Sequence, residues 1–153
     1  MRLGRSWIER HIPHRDAMCL LDDVVNWDAA HVVCCATSHR STGNPLRAHD
    51  RLGVACGIEY AAQAMAVHGA LVSPDGVRPR AGYLASVRDV EFRASRLDDV
   101  VGDLEVEAWR HAGDGNSVLY SFAVRAGHDD LIRGRAAVLF DAALAVRDRG
   151  FEG

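Results

Sequence analysis

Gly57-Ile58-Glu59-Tyr60-Ala61-Ala62-Gln63-Ala64-Met65-Ala66-Val67-His68-Gly69-Ala70-Leu71 is a run of good helix formers, apolar nearly all round, with a single carboxylate inside it. A helix of that kind belongs in a core rather than on a surface. Glu59 and Gln63 are four residues apart and share one face. Burial of an unpaired carboxylate is costly and normally raises its pKa. A carboxyl group tuned toward neutrality suits general acid–base chemistry. The alternative is that Glu59 pairs with an arginine and only braces the core, since structural ion pairs also perturb pKa values.

Working outward, the pattern predicts a helix over 53–72, ended by Ser73-Pro74-Asp75-Gly76. Upstream, residues 40–52 hold Gly43, Asn44, Pro45 and Asp50 with little periodicity and read as a loop. Residues 18–27 and 31–38 read as strands joined by a hairpin at Asp28-Ala29-Ala30, and residues 6–10 as a short helix that stops before Pro13. Downstream, residues 82–93 are strand-like. Leu104, Val106 and Ala108 alternate with Asp103, Glu105 and Glu107, the period-2 pattern of a half-buried strand. Ala112-Gly113-Asp114-Gly115-Asn116 is a hairpin turn into a strand over 117–126, and Asp129-Asp130 turns the chain into 131–140. The predicted order is two strands, one long buried helix, then four antiparallel strands. This is an α+β arrangement in which a sheet wraps one helix, with its edges open to edge-to-edge dimerisation. Residues 1–153 read as a single domain, with a core over about 12–140 and a charged tail over 141–153.

Composition narrows the function classes. A chain of 153 residues with 48% hydrophobic content can bury one sizeable core. A net charge of −3 gives no global field for nucleic acid or membrane surfaces. All 18 basic residues are arginine, which excludes Schiff-base lysine chemistry and the lysine of a phosphate-binding P-loop. The four cysteines form no C-x-x-C pair, and Cys34 and Cys35 are adjacent on a strand, so they face opposite ways. No histidine pair has helical metal-ligand spacing, so no metal and no cofactor is expected. Free thiols, together with the lack of a signal-like N-terminus, point to the cytoplasm. Gly113-Asp114-Gly115 resembles a phosphate loop only superficially, and Ser86 and Ser121 have no triad partners nearby in sequence.

Two segments together carry a family resemblance. Ile12-Pro13-His14-Arg15 leading to Leu20-Leu21-Asp22-Asp23, and the helix pair Glu59 and Gln63, resemble the hotdog-fold β-hydroxyacyl acyl-carrier-protein dehydratases of type II fatty acid synthesis. Those enzymes share the Pro-His-Arg segment and carry a helix-borne catalytic acid followed four residues later by glutamine. The Gly-Ile-Glu-Tyr-x-Ala-Gln-Ala pattern is similar to the branch found in aryl polyene and related polyketide clusters. Gly82-Tyr83-Leu84-Ala85-Ser86-Val87 resembles their next strand. The resemblance implies a hotdog fold and a dimer, homo- or hetero-, with a second hotdog chain. It implies as substrate a 3-hydroxyacyl chain borne on acyl carrier protein. One departure stands out: the family's catalytic histidine lies in a Gly-His-Phe-Pro segment, and here Gly43-Asn44-Pro45-Leu46 takes its place. Asparagine cannot take a proton at neutral pH.

Carried over residue by residue, the resemblance makes Glu59 the acid that protonates the departing hydroxyl. Gln63 would orient Glu59 or bind the substrate. Gly53 and Gly57 offer helix-start N–H groups to the thioester carbonyl, and Asn44 lies at the substrate. The base is then sought elsewhere: His49, in the loop before the helix, is the first substitute and His39 the second. In the resembled family the histidine corresponding to His14 looks structural, and His68 lies on another helical face from Glu59. Arg78-Pro79-Arg80 is either a docking spot for an acidic carrier or a solvated loop. Two alternatives to the dehydratase are a non-catalytic or weakly catalytic partner subunit, whose companion chain supplies the histidine, and an acyl thioesterase.

Overall fold

Along the chain a two-residue strand β1 (Leu3–Gly4) leads into helix α1 (Arg5–His11) and a hairpin of β2 (Asp23–Asp28) and β3 (His31–Ala36). Helix α2 (Gly57–Val72) follows, then β4 (Gly82–Phe92), β5 (Leu104–Gly113), β6 (Ser117–Ala126) and β7 (Asp129–Phe140). The computed structural model describes residues 3–73 and 82–140. The expected docking spot at Arg78-Pro79-Arg80 and the tail over 141–153 lie outside them. The strands form one seven-stranded sheet in the order β1-β2-β3-β5-β6-β7-β4, with every neighbouring pair antiparallel. Helix α2 packs across β3, β5 and β6. This is the expected hotdog architecture, a sheet around one long helix.

The register explains why the helix sits where it does. Cys34, Val106, Val124 and Ile132 are cross-strand partners in one row spanning β3, β5, β6 and β7, and all four are fully buried. The alternation predicted for β5 is what aims Val106 and its neighbours Leu104 and Ala108 inward. Helix α2 begins on this row. A Cβ built on Gly57 would lie 2.8 Å from Ile132 Cγ2 and 3.6 Å from Val124 Cγ2, so only glycine lets the helix start approach the sheet this closely. A row further on, Gly134 does the same for Phe122, whose ring would meet a Cβ there at 2.8 Å.

Two predicted elements start well after their expected first residue, while the others differ by a residue or two at their ends. The expected strand over 18–27 begins only at Asp23. Cys19, Leu20 and Leu21 are buried all the same. Here a helix side chain replaces the strand ladder: Gln63 accepts from the Leu20 N–H at 2.9 Å and donates to the Met18 carbonyl at 2.7 Å. The helix predicted over 53–72 starts with a 3-10 turn at Val54–Cys56 and becomes α-helical at Gly57. Leu52 and Val54 are tied instead to the chain at Ser95–Leu97, through Leu97 N–H to Leu52 O (2.7 Å) and Val54 N–H to Ser95 O (3.2 Å).

Candidate active site

Glu59 lies in the first turn of α2, where the positive end of the helix dipole favours a negative charge. Its side chain is about one-third exposed. Two groups converge on Oε1: His14 Nε2 at 3.1 Å and Gln63 Nε2 at 3.3 Å. No described residue hydrogen-bonds to Oε2. The carboxylate is gripped by one oxygen and presents the other. The His14 hydrogen bond is the strongest influence on its pKa and lowers it, burial opposes, and the Gln63 bond adds to the lowering. The net direction is downward, the reverse of the raised value expected from burial alone. Glu59 is therefore held as a carboxylate through Oε1, with Oε2 uncommitted among the described residues.

His14 is placed by the Pro-His-Arg segment itself. Ile12 is buried and its N–H caps α1 on the Ile8 carbonyl at 3.0 Å. Pro13 fixes the next φ. The Arg15 guanidinium donates back to the carbonyls of Ile12 (2.8 Å) and Glu9, tying the corner to α1. The corner ends in a 3-10 turn at Asp16–Met18, entered through a left-handed Asp16 (φ 52°), and the Gln63 amide grips its last carbonyl. The sequence reading took His14 as structural and gave it no place in the site; its signal was the Pro-His-Arg segment itself.

The remaining expected site residues are placed differently. Gln63 is fully buried, and both amide hydrogens are used, on Met18 O and Glu59 Oε1. It orients Glu59 and has no donor left for a substrate. Asn44 is also buried and fully engaged: its Nδ2 donates to Ser38 O (2.9 Å) and to the Tyr60 hydroxyl (3.0 Å), and its Oδ1 accepts from Leu46 N–H (2.9 Å). Gly57 N–H points back to the carbonyls of Val54 and Ala55, so it is spent within the 3-10 turn. Gly53 is extended, with open space where a side chain would be, and no described residue accepts from its N–H. Of the two glycines it is the one able to offer a donor to a thioester oxygen.

Neither substitute histidine meets Glu59 within the chain. His49 and Asp50 have φ of 52° and 61°, the left-handed pair at the tip of a tight turn closed by Arg51 N–H to Ala48 O at 3.0 Å. His49 is exposed there, with no hydrogen bond or ion pair to Glu59. His39 is fully buried, with Nε2 shared between the carbonyls of Val100 (3.1 Å) and Gly102 (2.9 Å), and burial lowers its pKa. It staples the 38–40 turn to the chain before β5. His68 is likewise a core residue, bonded to the Tyr120 hydroxyl (2.9 Å) and Asp28 O (3.0 Å).

No group of His, Cys, Asp and Glu side chains among the described residues is arranged to hold a metal ion. No described helix is long and apolar enough to cross a membrane.

Comparison with known proteins bears on the fold and the family. The chain is similar to a solved structure of the dehydratase heterocomplex ApeI:P from Xenorhabdus doucetiae. The identity is 21% over 87% of this chain and 90% of that one, with a TM-score of 0.72. It is also similar in fold to the PaaI protein from the phenylacetic acid degradation operon of E. coli (12% identity, 88% of each chain, TM-score 0.60). A mutant thioesterase from Staphylococcus aureus is a further neighbour (11% identity, 76% of this chain and 89% of that one, TM-score 0.56). No curated protein matches the chain. The model of the ApeP-like family, described as ApeP dehydratase, matches residues 6–147, which takes in the Pro-His-Arg corner, the Glu59 helix and every strand from β2 to β7. The chain belongs to the ApeP-like dehydratase family.

Proposed function

We propose that this dehydratase removes water from 3-hydroxyacyl thioesters carried on acyl carrier protein, with Glu59 as the proton-handling group of this chain. The observation that carries the reading is the Glu59 carboxylate, fixed through Oε1 and free at Oε2. Dehydration breaks one Cα–H bond and the Cβ–O bond and forms the C=C bond. A base takes the α-proton and an acid gives a proton to the departing hydroxyl, which leaves as water. His14 and Gln63 hold Oε1, so Oε2 is the oxygen left for the first task. This reading takes Glu59 as the base, where the sequence reading takes it as the acid. Gly53 N–H suits the thioester oxygen, where negative charge gathers as the proton leaves.

His14 is the only protonatable side chain that the described residues place against Glu59, and it meets Oε1, the oxygen that Gln63 also holds. A group for the second proton transfer fits a facing chain. Support for a facing chain comes from β4, which among the described strands is at the sheet edge beside β7 and exposes Leu84 and Phe92. The similar ApeI:P structure is a heterocomplex. We infer a second hotdog chain as partner, one that brings the histidine whose place Asn44 occupies here. Cys19, Cys34 and Cys56 are free thiols, in keeping with a reducing cytoplasm.

Incubation with a 3-hydroxyacyl carrier protein, alone and with a co-expressed second hotdog chain, tests this reading by mass spectrometry. Loss of one water that Glu59→Gln abolishes is the expected result. Release of free thiol in place of water loss makes the protein a thioesterase.

A further inference from the structure

We propose that His14 is the positioning residue of the active site: its Nε2–H holds Glu59 Oε1 and so aims Oε2 at the substrate. The inference rests on the dehydratase reading of Glu59 but is tested apart from it. Three observations carry it. First, His14 reaches Glu59 at 3.1 Å from a segment far away in sequence, and that segment is fixed at both ends, by Arg15 on the Glu9 and Ile12 carbonyls and by Gln63 on Met18 and Leu20. Second, His14 Nδ1 is buried without a hydrogen-bond partner. A buried N–H with nothing to accept it is expensive, whereas a bare ring nitrogen costs less, so the proton sits on Nε2 and is donated to the carboxylate. Third, both donors to Glu59 choose the same oxygen, which is how a carboxylate is oriented without being used up.

The neighbourhood leaves this task to His14. Gln63, on the same helix, is the other group bonded to Glu59. Arg15, next to His14, is turned onto the Ile12 and Glu9 carbonyls. Among the described residues no further charged side chain is within ion-pair distance of Glu59. The Pro-His-Arg segment is thus a bracket: proline stiffens it, arginine anchors it, and histidine delivers the contact.

The test compares His14→Gln, whose Nε2 can still donate at the same reach, with His14→Phe, which keeps a ring and removes the donor. The readouts are kcat and KM for a 3-hydroxyacyl carrier protein, the pH–rate profile, and the carboxyl carbon-13 titration of Glu59 in protein labelled at glutamate, assigned with Glu59→Gln. His14→Phe should lower kcat by about 10- to 100-fold with little change in KM, the scale of a misplaced catalytic group. It should also move the Glu59 titration and the acid limb of the rate profile upward, while His14→Gln stays near the wild type on every readout. The titration needs no turnover, so it stands even if the substrate class is wrong. A Glu59 titration unmoved in folded His14→Phe overturns the proposal. So does a His14→Gln variant that titrates like the wild type but turns over as slowly as His14→Phe, since His14 would then carry a proton itself.

Discussion

Asn44 donates to the Tyr60 hydroxyl at 3.0 Å, and that bond is the first link of a one-way chain. Ser38 Oγ gives its single hydrogen to the Leu20 carbonyl (2.8 Å), so Tyr60 must donate to Ser38 Oγ (2.7 Å), and Asn44 must donate to Tyr60. The chain ties the loop before α2 to the helix, one residue past Glu59, and to the segment that Gln63 holds. Asn44 is therefore a loop clamp. Asn44→His should not create a base. It leaves the Ser38 carbonyl and Leu46 N–H short of partners, a loss of about 2–4 kcal/mol in urea unfolding. A variant that gains dehydratase activity without the partner chain would contradict this assignment.

Glu59 links the site to pH. Its pKa is lowered in the fold, chiefly by the His14 hydrogen bond. A depressed carboxylate contributes stability that is fully present above its unfolded value, near 4.5, and is lost as the pH falls through the folded value. Glu59→Gln should therefore be less stable than the wild type at neutral pH, and the gap should close on acidification below about 4.5. Had burial dominated and raised the pKa, Glu59→Gln would be the more stable protein at neutral pH. Urea midpoints of the two proteins at neutral pH and near pH 4 decide the sign.

Most of the fold was legible because its signals were local and periodic. The alternation over 103–111, the turn at Ala112–Asn116 and the apolar run around Glu59 each name their own element. The site was legible only in part, because its decisive contacts are long-range. Nothing local says that His14 reaches Glu59, or that Gln63 replaces a strand ladder under Leu20. The same blindness set the sign of the Glu59 pKa the wrong way. Burial can be read from an apolar helix, but the hydrogen bond that outweighs it comes from the Pro-His-Arg corner. His49 was attractive for its place in sequence, whereas the left-handed turn that carries it keeps it at an exposed tip.

The contact of Gly57 with Ile132 sets how deeply the helix start, and with it Glu59, is seated. A Cβ at Gly57 would lie 2.8 Å from Ile132 Cγ2, inside a row with no exposed surface to yield into. Gly57→Ala should destabilise the protein by about 1–3 kcal/mol through overpacking. Ile132→Leu made on that background removes the Cγ2 branch at constant volume and should recover part of the loss, giving a favourable coupling in a double-mutant cycle of roughly 0.5–2 kcal/mol. Purely additive effects would show that the helix start relaxes elsewhere.

His68 and Tyr120 form a second buried polar pair, toward the far end of the same helix from Glu59. His68 Nε2 donates to the Asp28 carbonyl, so Nδ1 must accept the Tyr120 hydroxyl hydrogen, and the ring is neutral. Burial lowers the His68 pKa, as it does for His39. A histidine kept neutral in the fold contributes stability that is complete above its unfolded pKa near 6.5 and declines as the pH falls below it. His68→Leu strands the Tyr120 hydroxyl and the Asp28 carbonyl and should cost about 2–4 kcal/mol at pH 7.5. The deficit should shrink near pH 5, because only the wild type must hold this ring unprotonated, while His39 keeps some acid sensitivity in both proteins. A deficit that grows on acidification would mean that His68 is charged in the native state, with Asp28 and Tyr120 both accepting from it.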